Sequence, residues 1–171
     1  MFAKTIQIYL AVLGTAFFLS NAIADSSQNS NADGANASGD SFVSVKSPEV
    51  NLRVGPGLEY PVVCILKKAG LPAKIAAEFG EWIKIKLSDG TEGWIKRSMV
   101  SRKNTAIVVV KEAILYRYSS DSQPIARIEK NVIVKALKKD KGWIKIEVNK
   151  IKGWIKKEDL WGVDENSIAK I

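Results

Sequence analysis

The feature that most constrains this chain is that part of it occurs twice. Residues Gly80 to Lys86 read GEWIKIK and are followed by Gly93-Trp94-Ile95-Lys96. Residues Lys141 to Glu147 read KGWIKIE and are followed by Gly153-Trp154-Ile155-Lys156. Trp82 and Trp143 are 61 residues apart, the period of a small domain rather than of a solenoid turn. Upstream, Tyr60-Pro61-Val62-Val63 is echoed by Gln123-Pro124-Ile125-Ala126. The repeat divides the chain into two units, 42–103 and 104–163, joined near Arg102 to Thr105. A unit of about 60 residues folds alone, but only marginally.

Within each unit the apolar residues alternate. Ile83, Ile85 and Leu87 share one face of a segment whose other face holds Trp82, Lys84 and Lys86. Ile144, Ile146 and Val148 oppose Trp143, Lys145 and Glu147 in the same way. Period-two alternation is the mark of a half-buried strand. Ser88-Asp89-Gly90 turns the first strand into a hairpin with Thr91 to Lys96, and Asn149-Lys150 does so in a loop one residue shorter. Further strands are predicted at 62–67, 71–78, 125–129 and 132–138, with no convincing amphipathic helix. Many short strands with frequent turns give an all-β chain, one small barrel per unit.

The ends read differently. Lys4, the apolar run Ile6 to Leu19, and Ala22-Ile23-Ala24 have the three-part pattern of a secretory signal peptide over residues 1–24, cut between Ala24 and Asp25. The run is shorter than the about 20 apolar residues that span a bilayer, so no stable membrane insertion is expected after cleavage. Residues 25–41, DSSQNSNADGANASGDS, hold no large apolar side chain and read as a disordered linker. Residues 164–171 read as a tail. The expected location is periplasmic or secreted.

Composition excludes several chemistries. There is no histidine and one cysteine, Cys64, so a Ser-His-Asp triad, a Cys-His pair, a His-ligated zinc and an internal disulfide are all impossible. Cys64 lies in Val62-Val63-Cys64-Ile65-Leu66 and reads as a small buried hydrophobe. Glu78, Glu81, Asp89 and Glu92 lie near hairpin ends, with nothing to bring two of them around one cleft. The chain is therefore expected to be no enzyme, and to need no cofactor and no metal. The net charge is +8. Residues 42–103 carry 11 basic and 6 acidic groups and residues 104–171, the second unit with the tail, carry 14 and 9, so each stretch is +5. Such a surface attracts polyanions, but export argues against nucleic acid, and lysines on a strand's polar face also guard against edge-to-edge pairing.

Asn51-Leu52-Arg53-Val54-Gly55-Pro56-Gly57, then Tyr60-Pro61-Val62, then the paired tryptophan motifs and Asp159-Leu160-Trp161-Gly162-Val163, stand in order at consistent spacing. This series resembles the bacterial SH3 domain family, in the form of a two-repeat exported protein, over about residues 43 to 163. The resemblance implies SH3-like barrels, an envelope location, no catalysis, and a binding role often directed at cell-wall peptidoglycan. An envelope or secreted protein partner, docked on the two barrels as an adaptor, is the alternative. The second repeat departs from the pattern, since Ile114 to Ser119 replaces Asn51 to Pro56 and lacks the Gly-Pro turn.

The candidate ligand-binding residues are Arg53, Tyr60, Trp82, Trp94 and Trp143. Trp82 and Trp143 lie on the polar strand face, where an indole can stack on a sugar or a peptide, or else cover a barrel end or the sister unit. Trp94 and Trp154 each follow a glycine and lean toward packing; Trp161 is placed as a cap on the second barrel. Arg53 either clamps a ligand carboxylate or braces its loop through Glu59 or a backbone carbonyl.

Overall fold

The computed structural model describes residues 41–163, 166 and 168–170. The predicted leader with its cleavage point at Ala24 and Asp25, the linker apart from Ser41, and tail residues 164, 165, 167 and 171 lie outside the described residues.

The first unit holds β1 (Phe42–Val45), β2 (Val50–Arg53), β3 (Val62–Leu66), β4 (Pro72–Phe79), β5 (Trp82–Lys86), β6 (Glu92–Lys96) and β7 (Val100–Ser101), with a 3₁₀ turn at Arg97–Met99. The second holds β8 (Thr105–Val108), β9 (Glu112–Tyr116), β10 (Pro124–Glu129), β11 (Ile133–Asp140), β12 (Trp143–Val148), β13 (Ile151–Lys156) and β14 (Leu160–Trp161), with a 3₁₀ turn at Lys157–Asp159. The spatial order is β3-β2-β6-β5-β4-β1-β7 in one and β10-β9-β13-β12-β11-β8-β14 in the other. The repeat in sequence is thus a repeat in topology, an all-β pair of barrels as the alternation predicts. A last strand, β15 (Ala169–Lys170), pairs in parallel with β11. Ile168, which falls in the predicted tail, is buried in the second core.

Each barrel closes on its own core. Ile83, Ile85 and Ile95 are at most 1% exposed beneath the first hairpin, and Ile144, Ile146 and Ile155 match them beneath the second. Full burial of such a side chain stabilises by about 1.5–3 kcal/mol. Cys64 is half-buried against the first core.

The hairpin turns follow their loop lengths. Asn149 and Lys150 both have positive φ, 48° and 68°, the twist that a two-residue loop needs to match its flanking strands. In the longer loop Gly90 takes the left-handed position, and Asp89 Oδ1 accepts from the Thr91 amide at 2.9 Å.

A glycine in each last hairpin strand lets a neighbouring strand cross close. A Cβ on Gly93 would lie 2.6 Å from Leu52 Cγ and 2.8 Å from the Arg53 carbonyl oxygen. On Gly153 it would lie 2.7 Å from both Leu115 Cγ and the Tyr116 carbonyl oxygen. This approach pairs Arg53 with Trp94 and Tyr116 with Trp154. It therefore decides which side chain from β2 or β9 stands beside the hairpin's outer face.

The barrels touch. Ser44, 1% exposed, donates to the Lys103 carbonyl at 2.6 Å and shares a hydrogen bond with Thr105 Oγ1. Trp161 pairs with Ile107 in the second barrel, but its ring meets Phe42 of the first edge-on at 5.1 Å and 86°. It is therefore a bridge rather than a cap.

Candidate functional site

The outer face of each hairpin alternates indoles and lysines because the strand sequence alternates and the register sets unlike residues opposite. Trp82 faces Lys96, Lys84 faces Trp94 and Lys86 faces Glu92. In the second barrel Trp143 faces Lys156 and Lys145 faces Trp154. The Lys96 ammonium lies 5.9 Å from the centre of the Trp82 ring, and Lys156 lies 5.8 Å from that of Trp143. Each such cation–π contact stabilises by about 0.5–1 kcal/mol at an exposed site. Lys84 and Lys86 instead converge on Glu92 at 3.1 and 3.2 Å, and hydrogen bonds from both hold its carboxyl below the usual range.

The predicted residues divide into two groups. Trp82, Trp94 and Trp143 are half-buried on the outer faces, whereas Trp154 is only 7% exposed. Arg53 and Tyr60 belong to the loop after β2. The Arg53 guanidinium donates to the carbonyls of Leu58 at 3.0 Å and Tyr60 at 2.7 Å, so it braces its own loop. The Tyr60 ring lies over Gly55, where a Cβ would come within 2.4 Å of it, and Tyr60 remains 40% exposed. Arg53 and Trp94 are register partners across β2 and β6; Trp143 stands on the other barrel.

The second barrel builds the corresponding place from other residues. Tyr116 occupies the register position of Arg53, and its ring meets Trp143 edge-on at 5.5 Å and 88°. The loop after it lacks the Gly-Pro turn but closes by the same backbone bond. Val54 N donates to Pro61 O in the first loop and Arg117 N donates to Gln123 O in the second, both at 3.0 Å. The second loop is tethered outward. Asp121 reaches Lys156 at 3.1 Å, and Ser119 Oγ donates to Asp140 Oδ2 at 2.8 Å. The Asp121 hydrogen bond raises the Lys156 pKa above its ordinary value.

Between that loop and the following 3₁₀ turn lies an open groove of about 630 Å³, lined by Asp121, Gly142, Trp143, Lys156, Lys157, Glu158 and Leu160. Sequence reasoning singled out only Trp143 among these. Tyr116 was within its reach, since aligning Ile114 to Ser119 with Asn51 to Pro56 sets Tyr116 on Arg53. No sequence signal joined Asp121 to Lys156. Among the described residues no three Cys, Asp or Glu side chains stand together as a metal site.

Comparison with known proteins places these features in context. Residues 46–102 match a family described as Bacterial SH3 domain, and residues 119–160 match a second family of the same description. The chain is 27% identical over 114 aligned residues to YrvJ of Bacillus subtilis (strain 168), a protein named as an N-acetylmuramoyl-L-alanine amidase; the match covers 60% of this chain and 22% of that protein. Among solved structures it is similar to NlpC2 from Trichomonas vaginalis, at 18% identity and a TM-score of 0.34, covering 72% of this chain and 48% of that one. It is also similar to an NlpC/P60 family protein from Bacillus cereus, at 13% identity and a TM-score of 0.33, covering 71% of this chain and 56% of that one.

Proposed function

The chain belongs to the bacterial SH3 domain family, and on that premise we propose that it is a non-enzymatic, exported protein that binds cell-wall peptidoglycan. One observation carries the reading: both barrels present a half-exposed indole under a lysine at the same point of the hairpin. A flat apolar face beside a cation suits sugar rings and peptide chains alike. The name of the relative YrvJ supports a wall ligand, since the bond it refers to joins the wall's glycan to its peptide. This chain spans only 22% of that relative, and without histidine its own residues offer no imidazole base. We therefore read it as a binder.

The test is co-sedimentation with purified, protein-free peptidoglycan at low and moderate salt, with the supernatant assayed for released peptides and muropeptides. Retention that resists salt, falls when Trp82 and Trp143 are both changed to alanine, and releases no soluble product is the expected result. Retention abolished by salt alone would reduce the interaction to charge, and released peptides or muropeptides would make the protein an enzyme. A protein partner is the second reading, favoured by the apolar edge of β3, where Val62, Val63 and Ile65 are 42%, 47% and 46% exposed. It gains if no wall retention is seen and an envelope protein crosslinks to β3.

A further inference from the structure

The wall-binding reading leaves open which barrel recognises the ligand and whether glycan or peptide is recognised. Resting on that reading, we propose that the groove of the second barrel is the recognition site, and that its ligand is the zwitterionic peptide of the wall rather than the glycan.

The groove has an apolar floor and a rim of both charges. Its volume, about 630 Å³, is within the usual range for a small-ligand site. The floor is rigid. Trp143 is wedged by the Tyr116 ring edge at 5.5 Å and by the Lys156 ammonium at 5.8 Å, so little side-chain entropy is lost when a ligand lies on it. The rim carries Asp121 and Glu158 as acids, Lys156 and Lys157 as bases. Asp121 and Lys156 are bonded to each other at 3.1 Å, yet their side chains are 65% and 39% exposed. A surface pair of that kind contributes about 0.2–1 kcal/mol, so a ligand can part it at small cost. A ligand with a free amine and a free carboxylate replaces both halves of the pair with its own charges. A neutral sugar would desolvate four charged groups and return only hydroxyls.

The first barrel does not offer the same rim. The 3₁₀ turns superpose by their backbone bonds, Arg97 N to Glu81 O at 2.7 Å and Lys157 N to Gly142 O at 2.9 Å. This sets Ser98 where the second barrel has Glu158. Arg97 is engaged by Glu78 through two hydrogen bonds, at 2.8 and 3.3 Å. Where Tyr116 supports Trp143, Arg53 turns away into its own loop. The first hairpin keeps an indole and a lysine, but its acid, Glu78, is held by Arg97 through two hydrogen bonds rather than by the lysine over the indole, and Ser98 leaves it without a counterpart of Glu158.

The experiment is an NMR titration of the ¹⁵N-labelled protein with three probes: the synthetic stem tetrapeptide L-Ala-γ-D-Glu-meso-diaminopimelate-D-Ala, the same peptide with its amines acetylated and its carboxylates amidated, and chitotetraose. The stem peptide is expected to shift the amides of residues 116–121, 142–145 and 156–160. Affinity is expected to fall about tenfold with Lys156→Gln, with Trp143→Ala and with the blocked peptide. Lys156→Gln alters an exposed side chain without emptying the barrel, so it tests the site even if Trp143→Ala unfolds. Chitotetraose shifting the same amides as strongly would overturn the peptide assignment. Loss of stem-peptide binding with Trp82→Ala but not with Trp143→Ala or Lys156→Gln would overturn the choice of barrel. Equal affinity for the blocked and free peptides would overturn the role of charge. In each of these cases sedimentation with intact peptidoglycan would persist, whereas failure of the wall reading itself would abolish it.

Discussion

Gly153 is the position where the second barrel should fail most sharply for the smallest change, because Gly153→Ala adds one carbon where two strands cross. The new Cβ would lie 2.7 Å from Leu115 Cγ and 2.7 Å from the Tyr116 carbonyl oxygen, where ordinary contact begins near 3.4 Å. Leu115 can yield by changing rotamer, at the cost of disturbing a side chain that is 0% exposed. The carbonyl is backbone and cannot yield unless β9 moves off β13. Overpacking of this kind costs about 1–3 kcal/mol. For a domain of about 60 residues each kcal/mol lowers the melting temperature by about 4–8 °C, so a cost near 2 kcal/mol predicts a drop of about 8–16 °C. Differential scanning calorimetry on the full chain reads this directly. Gly142→Ala is the control. It has a φ of 87° and nothing within 4 Å of its Cβ, so its cost is backbone strain alone, about 1–2 kcal/mol. Gly142→Asn should recover part of that cost, because asparagine tolerates the left-handed region; Gly153→Asn should recover nothing. A Gly153→Ala protein that melts within about 2 °C of wild type would refute the close-crossing argument. So would a rescue of Gly153 by asparagine.

Other perturbations read other parts of the molecule. Phe42→Ala and Trp161→Ala, combined in a double-mutant cycle, should show a coupling of about 1 kcal/mol across the barrels; strictly additive effects on denaturant midpoints would show that the edge-on pair does not join them. Lys150→Gly should stabilise the second hairpin by about 1 kcal/mol, since Lys150 holds a φ of 68° that glycine adopts freely; calorimetry showing no gain would count against the turn assignment. Hydrogen bonds from Arg97 hold the Glu78 carboxyl below its ordinary value, so its contribution is present above the unfolded carboxylate range and is lost as pH falls through the lowered folded value. Arg97→Gln should move the Glu78 midpoint upward in an NMR titration, and an unmoved midpoint would exclude the pairing. Asp159 has the opposite sign, since burial and then Glu158 push its pKa up; stability therefore falls as pH rises from the unfolded value to the folded one. Asp159→Asn should raise the melting temperature slightly at pH 7 and leave it unchanged at a pH below the unfolded carboxylate range, a dependence that a flat pH profile would refute.

The elements were legible in the sequence because alternation is a local signal with one physical meaning. Ile83 and Ile85 had to face inward once Lys84 and Lys86 faced water, and a two-residue Asn149-Lys150 loop had to adopt positive φ to match the twist of its strands. Contacts between distant residues leave no such trace. Ser44 and Thr105 are ordinary hydroxyl residues until the fold brings them together at the barrel junction. Phe42 and Trp161 stand at opposite ends of the two-barrel segment and say nothing of each other until the fold sets their rings edge-on.

The two repeats put their motif residues to different uses. The first repeat carries the richer motif, with Arg53, the Gly-Pro-Gly turn and Tyr60 close together. Those residues are consumed in making their own loop: the guanidinium caps two loop carbonyls and the Tyr60 ring covers Gly55. In the second repeat the turn residues are missing, and the loop closes by the same backbone hydrogen bond, which does not depend on side-chain identity. That frees the register position of Arg53 to hold Tyr116, which props Trp143 instead of bracing a loop. It also lets Asp121 point across to Lys156 rather than inward. Departure from the family's motif thus sets Tyr116 against Trp143, one of the residues that line the groove. Restoring the motif by Tyr116→Arg should disturb it: the Trp143 ring loses its edge-on support, and the Trp143 indole N–H resonance should move in a ¹⁵N-resolved spectrum as the indole meets water. An unchanged Trp143 environment in that variant would show that the groove stands without Tyr116.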